Sequence, residues 1–154
     1  MNFWCRPMRH VLPLVASIFV LVCADAVEAV AQSSGKKLIH AFLAVGKESK
    51  PTTRFSADVS TIYAFWKGEA LQVGDKIQGV WIAEDIGDAG PKESRILAGD
   101  AKVFKADEDG SFSLSRPRGR LWPVGKYRVD IYINGSLAEL VKFTITPGVT
   151  IEVH

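Results

Sequence analysis

The stretch GRLWPVGKYRVDIYINGSLAELVKFTI, residues 119–145, decides the fold. Residues 126–133 alternate apolar and polar side chains, as a β-strand with one buried face does. Asn134-Gly135 follows as a turn, and residues 137–145 form a second run rich in apolar residues. The sequence therefore predicts a β-hairpin whose first strand buries Tyr127, Val129, Ile131 and Ile133.

Two registers of this hairpin have to be weighed. A two-residue turn at Asn134-Gly135 would pair Tyr127 with Lys142 and would mix apolar and polar residues on both faces. A three-residue loop over residues 133–135, with Gly135 in the left-handed region as a bulge, instead pairs Tyr127 with Val141. Because a slip of one residue turns the apolar set of a strand to water, we predict the bulged form.

Further β-like runs lie outside the hairpin, separated by Gly, Pro, Asp and Asn, and no segment has a sustained helical period. They are residues 38–45, 61–66, 75–85, 95–106 and 111–115, and the tail VTIEVH can add a last strand. The run over residues 95–106 contains LAGDAK, which can also form a short helical turn. About seven short strands with turn signals between them predict an all-β protein, an antiparallel β-sandwich.

The N-terminal segment has the layout of a secretory signal peptide. Arg6 and Arg9 precede an apolar run over residues 11–22, and Ala29-Val30-Ala31 supplies the small side chains that signal peptidase requires. The run is shorter than the roughly 20 residues of a membrane-spanning helix. We therefore expect a signal peptide over residues 1–31 and cleavage after Ala31. A flexible lead-in over residues 32–37 and a single domain over residues 38–154 would follow, in the periplasm or secreted.

Both cysteines, Cys5 and Cys23, lie in this leader. Of 154 residues, cleavage would leave 123 with no thiol for a disulfide, a nucleophile or a metal ligand. The leader also holds two of the 19 basic and two of the 17 acidic residues, so the net charge stays at +2, which argues against a nucleic-acid-binding protein. An uncleaved anchor and lipidation at Cys23 are the alternatives to cleavage.

Two features resemble the immunoglobulin-like fold. Trp81 is central in the run over residues 75–85, where such domains place a buried tryptophan. Gly125-Lys126-Tyr127 resembles a tyrosine corner, in which the hydroxyl group bonds to upstream backbone. Val129 stands where antibody domains carry a cysteine, so the inter-sheet disulfide is absent. The resemblance implies an immunoglobulin-like or fibronectin-III-like sandwich.

Residues 55–145 also resemble a set of bacterial secreted proteins and lipoproteins. Their immunoglobulin-like module ends in the pattern WPxGxYxVxxYxxG followed by Phe, and FSLS and WPVGKY carry the match in this chain. This resemblance implies a periplasmic or surface module of the bacterial envelope, and it implies no particular activity.

Candidates for catalysis are few. The sequence contains no Gly-x-Ser-x-Gly nucleophile motif with which His40 could act, so we interpret His40 as an ordinary residue of a β-strand. Carboxylates cluster in residues 84–88 and 107–109, where a pair could serve glycoside hydrolysis but where acidic residues beside glycines are also ordinary turn formers. Asp107 and Asp109 resemble part of a calcium loop that lacks the later bidentate Glu. We predict no catalytic residue, no cofactor and no metal site.

The candidate binding patch is SRPRGRLWP, residues 115–123, with Arg116, Arg118 and Arg120 alternating before Trp122. Guanidinium groups bind phosphate, sulfate or carboxylate, and an exposed indole offers a stacking face. Trp66, next to Lys67-Gly68, is a second candidate for that face. The alternative is that the arginines form a solvated connection and Trp122 caps the core.

The sequence thus predicts a non-catalytic binding module that presents loops or an edge strand to an envelope protein or to an anionic glycan or lipid. We expect no nucleic-acid partner and, after cleavage, no insertion into the membrane. A structural envelope subunit or inhibitor is one alternative function. A hydrolase that uses carboxylates is the other.

Overall fold

The computed structural model describes residues 35–148, which form eight β-strands and a 3-10 turn at Gly87–Ala89 without an α-helix. The strands are β1 (Leu38–Ala44), β2 (Arg54–Ser56), β3 (Thr61–Glu69), β4 (Lys76–Asp85), β5 (Ser94–Lys102), β6 (Asp109–Ser115), β7 (Gly125–Ile133) and β8 (Ser136–Thr146). No helix in the described range is long and apolar enough to cross a bilayer. The predictions for the signal peptide, its cleavage site and the tail VTIEVH lie outside the described residues.

The strands form two sheets that enclose one core, so the all-β sandwich predicted from the sequence is confirmed. One sheet has the order β1-β3-β6, and the other has the order β2-β8-β7-β4-β5. All pairs are antiparallel except β2 with β8, which run parallel. The prediction of an entirely antiparallel sandwich is corrected at that pair, and β2 was not predicted at all.

LAGDAK lies wholly inside β5, so the helical alternative for this segment is wrong. Its residues pair with β4 from Leu97 opposite Trp81 to Lys102 opposite Lys76. Pairing breaks at Ile96, which is an extra residue between the partners of Trp81 and Ile82. Among the described strands β5 pairs only with β4, so its other edge is open.

Phe143 is the centre of the aromatic core. The ring of Tyr127 stacks on it at 5.3 Å between centroids, while Trp81 and Phe55 approach it edge-on at 5.9 and 5.7 Å. Such offset and edge-on contacts are the arrangements that aromatic rings prefer. Tyr127 also donates its hydroxyl hydrogen to the carbonyl of Pro123 at 2.6 Å. The contact fixes the entry into β7, as a tyrosine corner does.

The β7–β8 hairpin differs from the predicted register. Asn134 and Gly135 have φ values of 50° and 84°, so they form a two-residue turn, and Ile133 pairs with Ser136. The extra residue lies further along, at Ala138, and it brings Val129 opposite Val141. The predicted loop over residues 133–135 is therefore wrong. The bulge in β8 still places apolar residues opposite each other, but not the predicted ones, because Tyr127 pairs with Phe143 and not with Val141.

Asp75, which precedes β4, fastens three segments together. Its buried carboxylate accepts hydrogen bonds from Lys37 Nζ at 2.6 Å, from the Gln72 amide at 2.8 Å and from Asn134 Nδ2 at 2.9 Å. Burial raises the pKa of Asp75, but these bonds together outweigh burial and leave the pKa lowered. Lys37, in the predicted flexible lead-in, is thus tied to the domain.

Candidate binding site

Trp122 belongs to the core and does not present a stacking face. Only 5% of its surface is exposed. Its indole Nε1 donates to the carbonyl of Val59 at 2.7 Å, and its backbone amide donates to Ala57 at 2.9 Å. The two bonds tie the segment before β7 to the connection between β2 and β3. The proposal of Trp122 as a ligand-stacking residue is corrected: its polar group is used in folding.

Trp66 is likewise buried, with 4% of its surface exposed. Its ring stacks at 6.3 Å on Phe112, which lies on the neighbouring strand β6. The second proposed stacking face is therefore corrected as well. Unlike Trp122, the indole nitrogen of Trp66 has no hydrogen-bond partner among the described residues.

The three arginines of the patch have different positions. Arg116 is half-buried, and its Nη1 donates to the carbonyl of Arg120 within the same loop. Arg118 and Arg120 are exposed and make no side-chain hydrogen bond or ion pair to the described residues. Gly119, with φ of 70°, allows the tight turn in which the Arg120 amide donates to Pro117. Arg118 and Arg120 are thus the two guanidinium groups available to a partner.

An apolar groove, which we call the end groove, opens where β4 ends and β5 begins. Its volume is about 370 Å³. Its walls come from the turn after β4, from the start of β5 and from residues 116–123, which we call the arginine loop. They include Ile86, Pro91, Ile96, Arg120, Leu121 and Trp122. Leu121 is 62% exposed and Ile96 41%, so apolar surface on both walls faces solvent.

Some charged side chains around the end groove form ion pairs with each other, and others do not. Lys92 forms an ion pair with Asp85 at 3.0 Å, and its hydrogen bond, with that of the Gly87 amide, lowers the pKa of Asp85. Arg128 binds Glu93 at 2.6 Å, a hydrogen bond that raises the pKa of the guanidinium group. Asp85 and Glu93 therefore have their own partners, whereas Asp88, which is exposed in the turn beside the end groove, has no ion pair within residues 35–148.

Cations remain without such partners. Arg118 and Arg120 have no ion pair within residues 35–148. Arg120 lines the end groove and Arg118 lies two residues before it in the same loop. The end groove is thus apolar inside, with two unpaired arginines on the wall that this loop forms.

The two carboxylate clusters of the hydrolase alternative lie apart. Residues 84–88 lie at the end of β4. Residues 107–109 follow β5 and lie near the beginning of β4, because the Val103 amide donates to the carbonyl of Asp75, the residue before β4. The ten residues of β4 span about 30 Å, which is far more than the distance between two carboxyl groups that act on one glycosidic bond. The two clusters do not form one catalytic pair.

Glu84 is bound within its own sheet. Burial raises the pKa of Glu84, but hydrogen bonds from Lys142 and Arg128 outweigh it and lower the pKa. Asp107 and Asp109, the calcium candidates, are exposed, and residues 35–148 contain no group of three or more His, Cys, Asp or Glu side chains placed to hold a metal ion. His40 is an exposed strand residue that lies 3.2 Å from Glu69.

The groove-lining residues Ile86, Ile96 and Leu121 were missed by the sequence analysis. Each is an apolar residue next to a turn or loop. The sequence held a signal for Ile86 and Leu121, because each is a single apolar residue among loop residues. Nothing in the sequence indicates that three such residues meet, since the turn after β4 and the arginine loop are far apart in the chain.

The fold and the end groove define a class, an all-β sandwich with an apolar site at one end. No protein-family model and no curated protein matches the chain. The solved structures that are similar in part include a DNA glycosylase and a β-glucosidase. Alkylpurine DNA glycosylase AlkC of Pseudomonas fluorescens has a TM-score of 0.45 and 12% identity over 71% of this chain, and a β-glucosidase of Listeria innocua has 0.44 and 9% over 75%.

This chain spans only 30% of the glycosylase and 17% of the β-glucosidase. At these identities and TM-scores, the likeness assigns neither activity to the chain.

Proposed function

We propose that the protein is a secreted binding module of the immunoglobulin-like type. The strand order supports this assignment, because a sheet of β1-β3-β6 faces a sheet in which β7 lies between β8 and β4. The buried Trp81 on β4 and the hydroxyl bond of Tyr127 occupy the positions that the resemblance implies. The expected signal peptide supports a periplasmic or extracellular location.

The end groove is the observation that carries the proposed function. A water-exposed apolar groove with the unpaired Arg118 and Arg120 on one wall suits an apolar side chain that has acidic neighbours. The open edge of β5 begins at the same place, and Leu97 to Lys102 form a regular ladder with β4 beyond the bulge at Ile96. An extended segment of a partner protein would add to this edge and insert an aliphatic side chain into the end groove.

An acidic peptide segment is favoured over an anionic glycan or lipid headgroup. Trp122 is buried, so the loop has no exposed indole on which a sugar ring stacks. A headgroup alone would use the arginines but would leave Ile96 and Leu121 in water. Only a ligand that is both apolar and acidic satisfies both features of the end groove.

The test is a selection from a library of random extended peptides on immobilised protein. We expect enrichment of peptides in which an aliphatic residue lies beside Asp or Glu. Replacing Arg118→Glu together with Arg120→Glu should weaken their binding by about tenfold or more, because attraction to the acidic residues becomes repulsion. Lys47→Glu together with Lys50→Glu, at two exposed residues between β1 and β2, changes the net charge by the same amount and is the matched charge control.

Titration of one enriched peptide, read by fluorescence anisotropy, decides the outcome. Equal affinities for the wild-type protein and the double arginine variant would refute the proposed site. Arginine-dependent retention on heparin or on anionic vesicles, without any enriched peptide, would replace the peptide with the glycan or lipid alternative. A structural subunit or inhibitor remains compatible with peptide binding, since both act through such a contact.

A further inference from the structure

The end groove lies close to the point where the described chain ends. The last strand, β8, ends at Thr146, and the Ala57 amide donates to the Thr146 carbonyl at 2.9 Å. The carbonyl of the same Ala57 accepts a hydrogen bond from the Trp122 amide at 2.9 Å, and Trp122 lines the end groove. One residue of the connection between β2 and β3 therefore joins the end of β8 to a wall of the end groove.

A second path joins the two places across the five-stranded sheet. Ile145 of β8 pairs with Gly125, the first residue of β7. A Cβ atom built on Gly125 would clash with the carbonyl oxygen of Asp85 and would lie 3.1 Å from Cγ2 of Ile86, which lines the end groove. Since β8, β7 and β4 are neighbours in this sheet, the end of β8 is about 10 Å from the end of β4.

The residues that follow Gly148 are numerous enough to reach the end groove. They are residues 149–154, VTIEVH, and they lie outside the described residues. A Cβ atom built on Gly148 would lie 3.6 Å from Ser56 Oγ, so the described chain ends beside the connection that holds Trp122. An extended segment advances about 3.3 Å per residue, so Ile151 can lie about 10 Å beyond Gly148 and Val153 about 16 Å.

The composition of residues 149–154 matches the ligand expected for the end groove. Aliphatic residues stand at alternate positions, so an extended segment presents them on one side: Val149, Ile151 and Val153. Glu152 follows Ile151 directly, which gives the aliphatic residue beside an acidic one that the end groove favours. The carboxylate of Glu152 supplies a partner of the charge that Arg118 and Arg120 lack within residues 35–148.

The segment before residue 35 is less suitably placed. Lys37, near the start of the described chain, donates to the carboxylate of Asp75, which precedes β4. The end groove opens at the other end of β4, and a strand of ten residues spans about 30 Å. Of the two segments outside residues 35–148, only residues 149–154 start beside the end groove.

We propose that residues 149–154 occupy the end groove of their own chain, with Ile151 inside it and Glu152 at Arg118 and Arg120. The inference rests on the proposed function, because it requires the end groove to bind an aliphatic residue beside an acidic one. The segment is then an internal competitor, which a partner must displace. With a Kd of about 0.1 mM for the free segment and an effective concentration of about 1 mM, the occupied state exceeds the open state about tenfold.

The experiment measures the affinity of the end groove for the segment itself. The probe is a fluorescent, amidated peptide of sequence VTIEVH, titrated by anisotropy into two full-chain proteins. One is the wild type, and the other carries Ile151→Ser together with Glu152→Lys, which removes both features of the internal ligand. We expect the peptide to bind this variant about tenfold more tightly, because the wild type must first release its own segment.

Three controls connect the effect to the end groove. Glu48→Lys, at an exposed residue between β1 and β2, makes the same charge change as Glu152→Lys and should leave the wild-type affinity unchanged. Adding Arg118→Glu and Arg120→Glu to the segment variant should weaken the peptide by about tenfold or more. A chain that stops after Gly148 keeps every described strand, so it should unfold thermally like the wild type and bind like the segment variant.

The outcomes separate this inference from the proposed function. Library peptides that bind the wild type and the segment variant equally would overturn the internal ligand and leave the proposed function intact. Tighter binding of VTIEVH by the segment variant, without any enriched library peptide, would support the internal ligand and refute an external partner.

Two further results would overturn the inference. One is no binding of VTIEVH to the segment variant at millimolar concentration. The other is a wild type that dimerises in sedimentation equilibrium while the segment variant stays monomeric, since residues 149–154 would then occupy the end groove of a second copy.

Discussion

Replacing Asp75→Ala should destabilise the domain, because its buried carboxylate holds three segments together. The substitution leaves the Gln72 amide and Asn134 Nδ2 without their acceptor and frees Lys37. Each of the two partly buried donors costs about 1–2 kcal/mol when orphaned, and the partly exposed lysine pair adds less than about 1 kcal/mol. We expect a loss of about 2–4 kcal/mol in the free energy of unfolding.

Urea unfolding followed by tryptophan fluorescence measures this loss, and Lys37→Met, which removes only the ion pair, is the control. The folded pKa of Asp75 is lowered, so its stabilisation is complete above the unfolded pKa of about 4 and is lost as pH falls below it. The difference between wild type and Asp75→Asn should therefore shrink from pH 7 to pH 3. A loss below about 0.5 kcal/mol at pH 7, or a difference that is constant with pH, would refute the reasoning.

Two other predictions concern the core. Burial raises the pKa of Tyr127 to about 12, so the contribution of this group to stability is complete below the unfolded pKa of about 10 and is lost as pH rises toward 12. Tyr127→Phe also removes the bond to Pro123 and should cost about 1–2 kcal/mol in urea unfolding. An ultraviolet titration in which the wild type forms clearly more tyrosinate than the variant near pH 10 would contradict the raised pKa. Gly79→Ala places a Cβ atom 2.5 Å from the ring of Phe112 and should cost about 1–3 kcal/mol, and recovery in the double variant with Phe112→Leu would identify the clash as the cause.

Strand positions could be predicted where one local pattern dominates. Residues 126–133 alternate cleanly and form β7 as expected, because burial of one face follows directly from a period of two. β2 was missed because three residues around Phe55 are too short to show a period, and its pairing with β8 is a long-range contact. The hairpin register was wrong for a related reason: the two-residue turn is compatible with the apolar pattern only because Ala138 absorbs the extra residue.

The candidate site could be predicted only in part. Arg118 and Arg120 lie on the surface at the rim of the end groove, which the charged composition of their loop indicates. The position of Trp122 could not be read from its neighbours, since the acceptors that bury it, Ala57 and Val59, are about 60 residues earlier in the chain.

Folding and the proposed binding use different residues of the same loop. Trp122 donates both its indole and its backbone hydrogen to the connection before β3, and Arg116 closes the loop on itself by donating to Arg120. These contacts fix the backbone, so Arg118 can be replaced without loss of a folded-state interaction. Because surface substitutions away from such contacts change stability little, the charge at the rim of the end groove can vary while the sandwich stays intact. The proposed binding module could therefore change its partner by substitutions at Arg118 and Arg120 alone.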